Sequence, residues 1–140
     1  MTMYKDITNF HQKFGLEYHG RPRDLPDDLF WFRNGFLDEE MKEYLRAWQE
    51  QDLEKQFDAL IDIVYVAMGT AYLHGFNFEE GWKRVHEANM NKVRATDADE
   101  SERGSTFDVV KPEGWEPPVL KDLMTMHQGP DGVYTIVGVD

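Results

Sequence analysis

Acidic side chains are concentrated in one window of the sequence, residues 38–62. Nine carboxylates fall in this window, against three basic side chains, Lys42, Arg46 and Lys55. Like charges at helical spacing repel one another unless something positive lies between them. Oxygen ligands of this kind bind Mg²⁺ or Mn²⁺, and Mg²⁺ held by few carboxylates completes its shell with water and phosphate oxygens. The window therefore indicates metal-assisted chemistry on a phosphorylated ligand.

Two subsets of these acids have the spacing of a helix face. Glu39 and Glu40 precede Glu43 by four and three residues, and Asp58 precedes Asp62 by four. Antiparallel packing of the two helices that carry them would bring four carboxylates into one cluster. The alternative is that each run forms an ordinary solvated helix face.

Asp62 is the only charged residue in the segment 59–68. An ionised carboxylate in a mostly buried helix costs several kcal/mol unless it is paired or bound to a metal. A metal-binding role is one explanation. The alternative is that Asp62 pairs with an arginine, such as Arg33 or Arg46, or faces water.

The segment 82–94 has the opposite charge. It contains Lys83, Arg84, Lys92 and Arg94 against one acid, Glu87. On a helix, Asn89 and Lys92 would share a face, which gives a surface rich in hydrogen-bond donors, as a metal–phosphate site requires. The alternative is that these cations only complement the dipole at a helix C-terminus.

The elements that would position these side chains are helical. Apolar spacing predicts helices over residues 3–14, 29–49, 53–74 and about 78–94. Gly15 and Gly75 are expected stops, Asp27 or Asp28 could cap the second helix, and Asn77 the fourth. Residues 96–106 are expected to form a loop, 107–125 to be extended around three prolines, and 129–137 to form a turn and a short strand. The predicted fold class is all-α, a four-helix-bundle-type domain with an extended C-terminal tail.

Composition narrows the function further. The chain has 140 residues, no cysteine and a formal charge of −12, which excludes disulfides, cysteine-bound metals and a thiol nucleophile. A chain this acidic is a poor candidate for binding duplex nucleic acid. We find no signal peptide, and the longest apolar run falls far short of the ~20 residues needed to span a membrane. We therefore expect a soluble, cytoplasmic protein that binds neither nucleic acid nor membranes.

Three segments in this order carry a family resemblance. They are Glu39-Glu40-x-x-Glu43, then Asp58-x-x-x-Asp62 leading into residues 63–71, then Val85-His86-Glu87-Ala88-Asn89-Met90-Asn91-Lys92. Together they resemble the all-α nucleotide pyrophosphohydrolase superfamily, which includes MazG-type enzymes, dimeric dUTPases and phosphoribosyl-ATP pyrophosphohydrolase. The chain is similar to the short, stand-alone phage and bacterial members. The resemblance implies a helical catalytic domain over residues 1–95 and a C-terminal extension over 96–140, in which residues 111–118 resemble a loop of those short members.

The resemblance also implies roles for the acids. Glu40, Glu43 and Asp62 match metal ligands, and Glu39 matches an acid that helps to hold or activate water. The second motif of the family is usually Glu-x-x-Asp, but Ala59 stands where its glutamate belongs. Asp58, one position earlier, is the candidate for the fourth metal ligand. The implied catalytic residues are Glu39, Glu43 and Lys92.

Substrate contacts are implied in the same way. Asn89 and Lys92 match polar positions that approach the substrate phosphates, and an arginine often stands at the position of Arg33. The first helix often helps to line the base pocket, through positions matched here by Phe10, His11 and Phe14, although core packing is the alternative for these three. The tail could cover the active site through Lys111 and Trp115, which makes Lys111 a further candidate for substrate binding. The alternatives are that the tail packs on a neighbour or is only a decoration.

The implied reaction is hydrolysis of a nucleoside triphosphate between its α and β phosphates, with Mg²⁺ or Mn²⁺. A helical pair of this length cannot bury all of its apolar surface, so we expect a homodimer or homotetramer. Candidate interface residues are Phe30, Trp31, Phe32 and Phe36, with the core of the single chain as the alternative. The competing function is a catalytically inactive, acidic helical module that binds or regulates a partner.

Overall fold

Four helices make up the first two thirds of the chain. The computed structural model describes residues 2–128 and 134–136. The helices are α1 (Thr2–Lys13), α2 (Asp27–Gln49), α3 (Leu53–His74) and α4 (Phe78–Met90). They are followed by two short antiparallel ribbons, β1 (Val93–Arg94) with β2 (Val109–Val110), and β3 (Met126–Gln128) with β4 (Tyr134–Ile136). The predicted all-α fold with a tail is confirmed.

Glycine and aspartate define several helix ends, and the two predicted glycine stops are confirmed. α1 is closed by Gly15 at φ 68°, beyond which the Leu16 N–H donates to the His11 carbonyl at 2.9 Å. α3 ends at Gly75, whose φ of 81° is a left-handed conformation that glycine adopts without strain. α3 begins at the N-cap Asp52, whose side chain accepts from the Lys55 N–H at 3.0 Å.

The segment between α1 and α2 binds the C-terminal end of α3. Arg23 donates from its backbone N–H to the His74 carbonyl and from Nε to the Leu73 carbonyl, at 2.9 and 3.0 Å. His74 Nδ1 in turn donates to the Arg23 carbonyl at 2.6 Å. These bonds satisfy carbonyls that the helix end leaves without a partner, and the arginine charge complements the helix dipole.

α2 and α3 form a helical hairpin with a connection of only three residues, 50–52, so the two helices run antiparallel. α1 also packs against α3. The core that results contains Tyr4, Ile7, Leu25, Met68, Tyr72 and Leu73, with Leu29, Tyr65 and Phe78 packed against it. The hairpin places the acidic C-terminal half of α2 beside the acidic N-terminal half of α3.

The chain forms two compact units, one containing residues 1–78 and 123–140 and the other residues 79–122. In the second unit, Val93 pairs with Val110 and Arg94 with Val109. The loop between these strands is closed by Asp108, which accepts from Ser101 Oγ and from Arg103 Nη2, both at 2.6 Å. These bonds lower the pKa of Asp108 to about 2, so its carboxylate stays ionised at neutral pH.

Several boundaries differ from the sequence predictions. α4 ends at Met90 rather than near Arg94, because Val93 and Arg94 pair with a strand distant in sequence. The N-cap of α2 is Pro26, with no side-chain cap, whereas Asp27 and Asp28 lie in the first turn. The predicted extended segment 107–125 also contains a 3₁₀ helix at Lys121–Thr125. The predicted strand is present at Tyr134–Ile136, but the turn at 129–132 lies outside the described residues.

Within the described residues, no single helix is both long and apolar enough to cross a membrane.

Candidate functional site

Glu40 occupies the centre of the acidic cluster. Its side chain is only 7% exposed, and its Oε2 is buried with no hydrogen-bond partner among the described residues. The neighbouring Glu39 and Glu43, on the same helix, are exposed. α2 thus presents one carboxylate inward and two toward solvent, which the repeated acids in the sequence did not distinguish.

Glu40 has a strongly perturbed titration. Burial raises its pKa to about 7, and the neighbouring charges of Glu43, Asp62 and Glu39 raise it further. Without a nearby cation, a buried carboxyl group favours its protonated form. Near neutral pH, the Glu40 carboxyl group is therefore close to its titration midpoint.

Asp62 extends the cluster onto α3. Burial raises the pKa of its half-buried carboxyl, and the charges of Asp58 and Glu43 raise it further. Pairing with Arg33 is ruled out, because that guanidinium binds α3 by other contacts. Among the described residues, Arg46 makes no ion pair with Asp62 either.

A cleft of about 330 Å³ opens between the two acidic helix halves. Its lining includes Glu43 and Ala47 from α2, and Asp58 and Ala59 from α3. Ala59, at the position where the family pattern has glutamate, is 3% exposed and lines this cleft. Asp58, the alternative ligand suggested from the sequence, lines the same cleft beside it.

The donor chemistry of the cluster fits a hard divalent cation. Its members supply only carboxylate oxygens, and one of these oxygens is buried without a partner. In the described part of the chain, no three acidic or histidine side chains already converge on one point. The exposed carboxylates Glu39 and Glu43 are side chains with rotational freedom, so a cation would have to draw them inward.

Arg33 lies at the other end of the hairpin. Its guanidinium donates from Nη2 to the Val66 carbonyl at 2.8 Å and from Nε to Thr70 Oγ1 at 3.0 Å. Both contacts are to α3, across the face of Gly69. Burial lowers the pKa of Arg33, and among the described residues no carboxylate pairs with it. The residue joins α2 to α3 and leaves a buried positive charge uncompensated.

The three candidates on α1 have different environments. His11 is buried, and its Nδ1 donates to the Leu16 carbonyl at 2.9 Å. Burial lowers its pKa, with Arg33 acting in the same direction, so the neutral ring carries its free lone pair on Nε2. Phe10 and Phe14 are both exposed, with ring centroids 4.8 Å apart, and Phe10 also contacts the Tyr65 ring edge-on. Core packing thus describes His11 but neither phenylalanine.

The remaining candidates, Asn89, Lys92 and Lys111, belong to the second unit. Asn89 is exposed near the end of α4, and the Lys92 N–H donates to its carbonyl at 3.1 Å. The ammonium groups of Lys92 and Lys111 lie 5.3 and 5.2 Å from the centroid of one ring, that of Trp115. The structure therefore brings these two lysines together.

A comparison with protein families matches the description phosphoribosyl-ATP pyrophosphohydrolase over residues 7–89. This segment contains the acidic hairpin and most of α4. The chain belongs to this family. No curated protein matches the chain. Membership supports the superfamily resemblance seen in the sequence, and it makes the chain a pyrophosphohydrolase of the phosphoribosyl-ATP or MazG-like kind.

Membership in the pyrophosphohydrolase family does not by itself explain why large aromatic side chains of α2 are exposed. Trp31 and Phe32 are 66% and 62% exposed, and Phe30 is exposed as well, so these three do not form the core of the single chain. α3 exposes a further apolar set, Phe57, Leu60, Ile61 and Val64.

One residue important to the arrangement, Gly69, was given no role from the sequence, and Trp115 was named only as part of a tail that could cover the active site. Gly69 leaves space for the Arg33 side chain, and the Trp115 ring contacts the ammonium groups of two lysines. The Lys-Pro-x-Gly-Trp run was a usable signal for Trp115, because proline and glycine at that spacing form a tight turn.

Proposed function

We propose that the chain hydrolyses nucleoside triphosphates between the α and β phosphates, releasing a nucleoside monophosphate and pyrophosphate. Within the family, the chemistry requires a cluster of acids that can hold a cation against the negative charge of a polyphosphate. The observation that carries the proposal is Glu40, a buried carboxylate with one oxygen lacking a partner among the described residues. It lies within the electrostatic influence of Glu39, Glu43 and Asp62.

Mg²⁺ is the proposed cofactor, with Mn²⁺ as a substitute. Glu40, Glu43 and Asp62 would hold it, and Asp58 is the fourth candidate because it lines the cleft beside Ala59. When bound, the metal would offset the charge of the phosphates and polarise their oxygens. The raised pKa of Glu40 supports this assignment, since replacing its proton with a divalent ion relieves the repulsion among the acids.

The other candidate residues have separate proposed roles in catalysis and substrate binding. Glu39 is exposed, and its carboxylate would orient a water molecule and accept its proton. Lys92 and Asn89 supply a positive charge and an amide donor that suit the β and γ phosphates. Arg33, His11, Phe10 and Phe14 remain the proposed contacts to the rest of the nucleotide.

We also propose that the enzyme is a homodimer or a homotetramer in the cytoplasm. α2 and α3 expose a set of large apolar side chains that a second copy would cover. Helical hairpins of this kind bury such faces by pairing into four-helix bundles. The absence of cysteine fits a reducing compartment.

The test is product analysis on a panel of canonical and modified dNTPs and NTPs, together with phosphoribosyl-ATP, in Mg²⁺ and in Mn²⁺. Pyrophosphate with a monophosphate is the expected pair of products, lost in Glu43→Gln. Asp38→Asn is the matched control, because Asp38 is an exposed acid on the same helix that pairs with Lys42 at 2.7 Å. Its variant should keep the activity.

Three other results would contradict this proposal in different ways. Release of phosphate with a diphosphate would place the cleavage at another bond. Turnover of phosphoribosyl-ATP alone would narrow the substrate to the one that gives the family its name. No turnover of any compound in either metal would favour the inactive binding module.

A further inference from the structure

The second unit contains a pair of lysines whose arrangement the carboxylate chemistry does not explain. Lys92 directly precedes Val93, and Lys111 directly follows Val110, the partner of Val93, so the two lysines occupy facing positions at the end of the β1–β2 ribbon. Like charges directly opposite each other destabilise a ribbon. Their placement therefore calls for a compensating group.

Trp115 provides part of the compensation. Its ring lies within 5.3 Å of both ammonium groups, measured to the ring centroid, so the two charges are within roughly 10 Å of each other, about one Debye length at 0.1 M salt. The electron-rich face of an indole attracts cations, but each exposed contact of this kind contributes only about 0.5–1 kcal/mol. The ring positions the lysines without neutralising them.

The ring itself is held by two local features. The indole N–H donates to the Ala88 carbonyl at the end of α4, at 2.7 Å. The backbone N–H of Trp115 donates to the Pro112 carbonyl at 3.0 Å, closing a turn in which Gly114 has φ 80°. That geometry is a type II turn, in which the positive φ at this position favours glycine. The turn folds Trp115 back toward Lys111, and the indole bond anchors it beside Lys92.

Neither lysine has a carboxylate within 4 Å in the described part of the chain. The arginines of this unit behave differently, since Arg84 pairs with Glu80 and Asp122, and Arg103 with Asp108. In a protein with 27 acids and 15 bases, two adjacent unpaired lysines leave a local positive charge. Lysine ammonium groups are common ligands for phosphate.

We propose that Lys92 and Lys111, positioned by Trp115, bind the phosphate groups of a polyphosphate anion. As part of the proposed function, this anion is the triphosphate of the substrate or the pyrophosphate product. Lys92 was implied by the family resemblance. Lys111 was a separate candidate for substrate binding in the tail. The structure pairs it with Lys92 and identifies Trp115 as the residue that positions both.

The experiment is calorimetric titration of the whole protein with tripolyphosphate, pyrophosphate and phosphate, in EDTA and at low salt. Without a divalent ion, the acidic cluster repels these anions, so binding reports on the lysine pair. We expect affinity to fall from tripolyphosphate to phosphate, and Lys92→Gln and Lys111→Gln each to weaken tripolyphosphate binding about tenfold. Trp115→Leu should weaken it as well. Lys83→Gln removes an exposed lysine from the same unit and should leave it unchanged.

Two outcomes would overturn the proposal. One is a Lys111→Gln variant that binds tripolyphosphate as tightly as the parent. The other is an equal loss in Lys83→Gln, which would mean that net charge alone attracts the anion. A protein that hydrolyses no nucleotide but binds tripolyphosphate through both lysines would refute only the proposed function. Turnover with an unchanged KM in Lys111→Gln, together with unchanged binding, would refute only the lysine site.

Discussion

Arg33 lies so close to Gly69 that a Cβ atom at position 69 would come within 2.7 Å of its Nη2 atom and within 2.9 Å of His11 Nε2. The glycine is therefore a gap in the surface of α3 through which the guanidinium reaches the Val66 carbonyl. A helix-interior glycine usually weakens a helix. Here it permits the contact that joins the N-terminal half of α2 to α3.

Gly69→Ala should lower the free energy of unfolding by about 1–3 kcal/mol, because the added methyl group must displace a buried, hydrogen-bonded arginine. Gly35→Ala is the matched control, since a Cβ atom at this helical position would meet nothing within 4 Å. That change should stabilise the protein by about 0.5–1 kcal/mol. Urea denaturation followed by circular dichroism measures both. Equal effects of the two substitutions would argue against a special role of Gly69 in accommodating Arg33.

The second prediction concerns pH in the absence of divalent ions. The pKa of Glu40 is about 7 in the folded protein, against 4.5 as its ordinary value. Between these two pH values, the folded state thus binds more protons than the unfolded state. The contribution of Glu40 to the stability of the fold is therefore present at low pH and is lost as pH rises through 7. In EDTA, the melting temperature of the parent should fall by several degrees between pH 5 and pH 8, relative to that of Glu40→Gln.

Glu87→Gln removes an exposed acid from α4 and provides the comparison for that titration. Its melting temperature should follow that of the parent across the same range. A Glu40→Gln variant with the parent's pH dependence would show that the buried carboxyl does not control it.

The third prediction concerns metal binding. Mg²⁺ should raise the melting temperature beyond the effect of Na⁺ at equal ionic strength, because a ligand that binds only the folded state stabilises it. At 100 times its Kd the gain is about 2.7 kcal/mol. The effect should be larger at pH 8 than at pH 6, since the metal must displace the proton of Glu40. Glu43→Gln should reduce it and Asp38→Asn should not. Identical shifts in Mg²⁺ and Na⁺ would mean simple charge screening.

The fourth prediction restores the family pattern. Ala59 is buried and lines the cleft beside Glu43 and Asp58, so Ala59→Glu places another carboxylate among the acids. In EDTA the variant should melt below the parent, because a buried charge is added to a repulsive cluster. With Mg²⁺ the deficit should shrink and the metal affinity should rise. Ala59→Gln has the same size without the charge, so Mg²⁺ should stabilise it no more than it stabilises the parent.

Local signals predicted most of the helices. Gly15 and Gly75 act through their own backbone conformation, so their effects can be predicted from the sequence. The end of α4 was missed, because cations near residue 92 fit a helix C-terminus equally well. The pairing of Val93 with Val110 that ends it joins residues far apart in sequence.

The candidate site shows the same division. Helical spacing identified the acids, and family resemblance assigned them roles. Neither indicated which carboxylate points inward, because apolar residues occur on every side of α2 and leave the buried face undefined. The burial of Glu40 and of Arg33 follows from how α2 packs on α3. A tertiary contact of that kind has no local signature.

The bonds between Arg23 and the end of α3 also bear on proteolysis. Trypsin cleaves after arginine, but the bond after Arg21 is followed by Pro22 and resists it. At Arg23, Nε is bound to the Leu73 carbonyl, and the guanidinium lies 3.7 Å from the centroid of the Tyr18 ring. The protease can therefore engage this residue only after the segment detaches from α3, so the rate of cleavage there measures how often the native protein opens at that point.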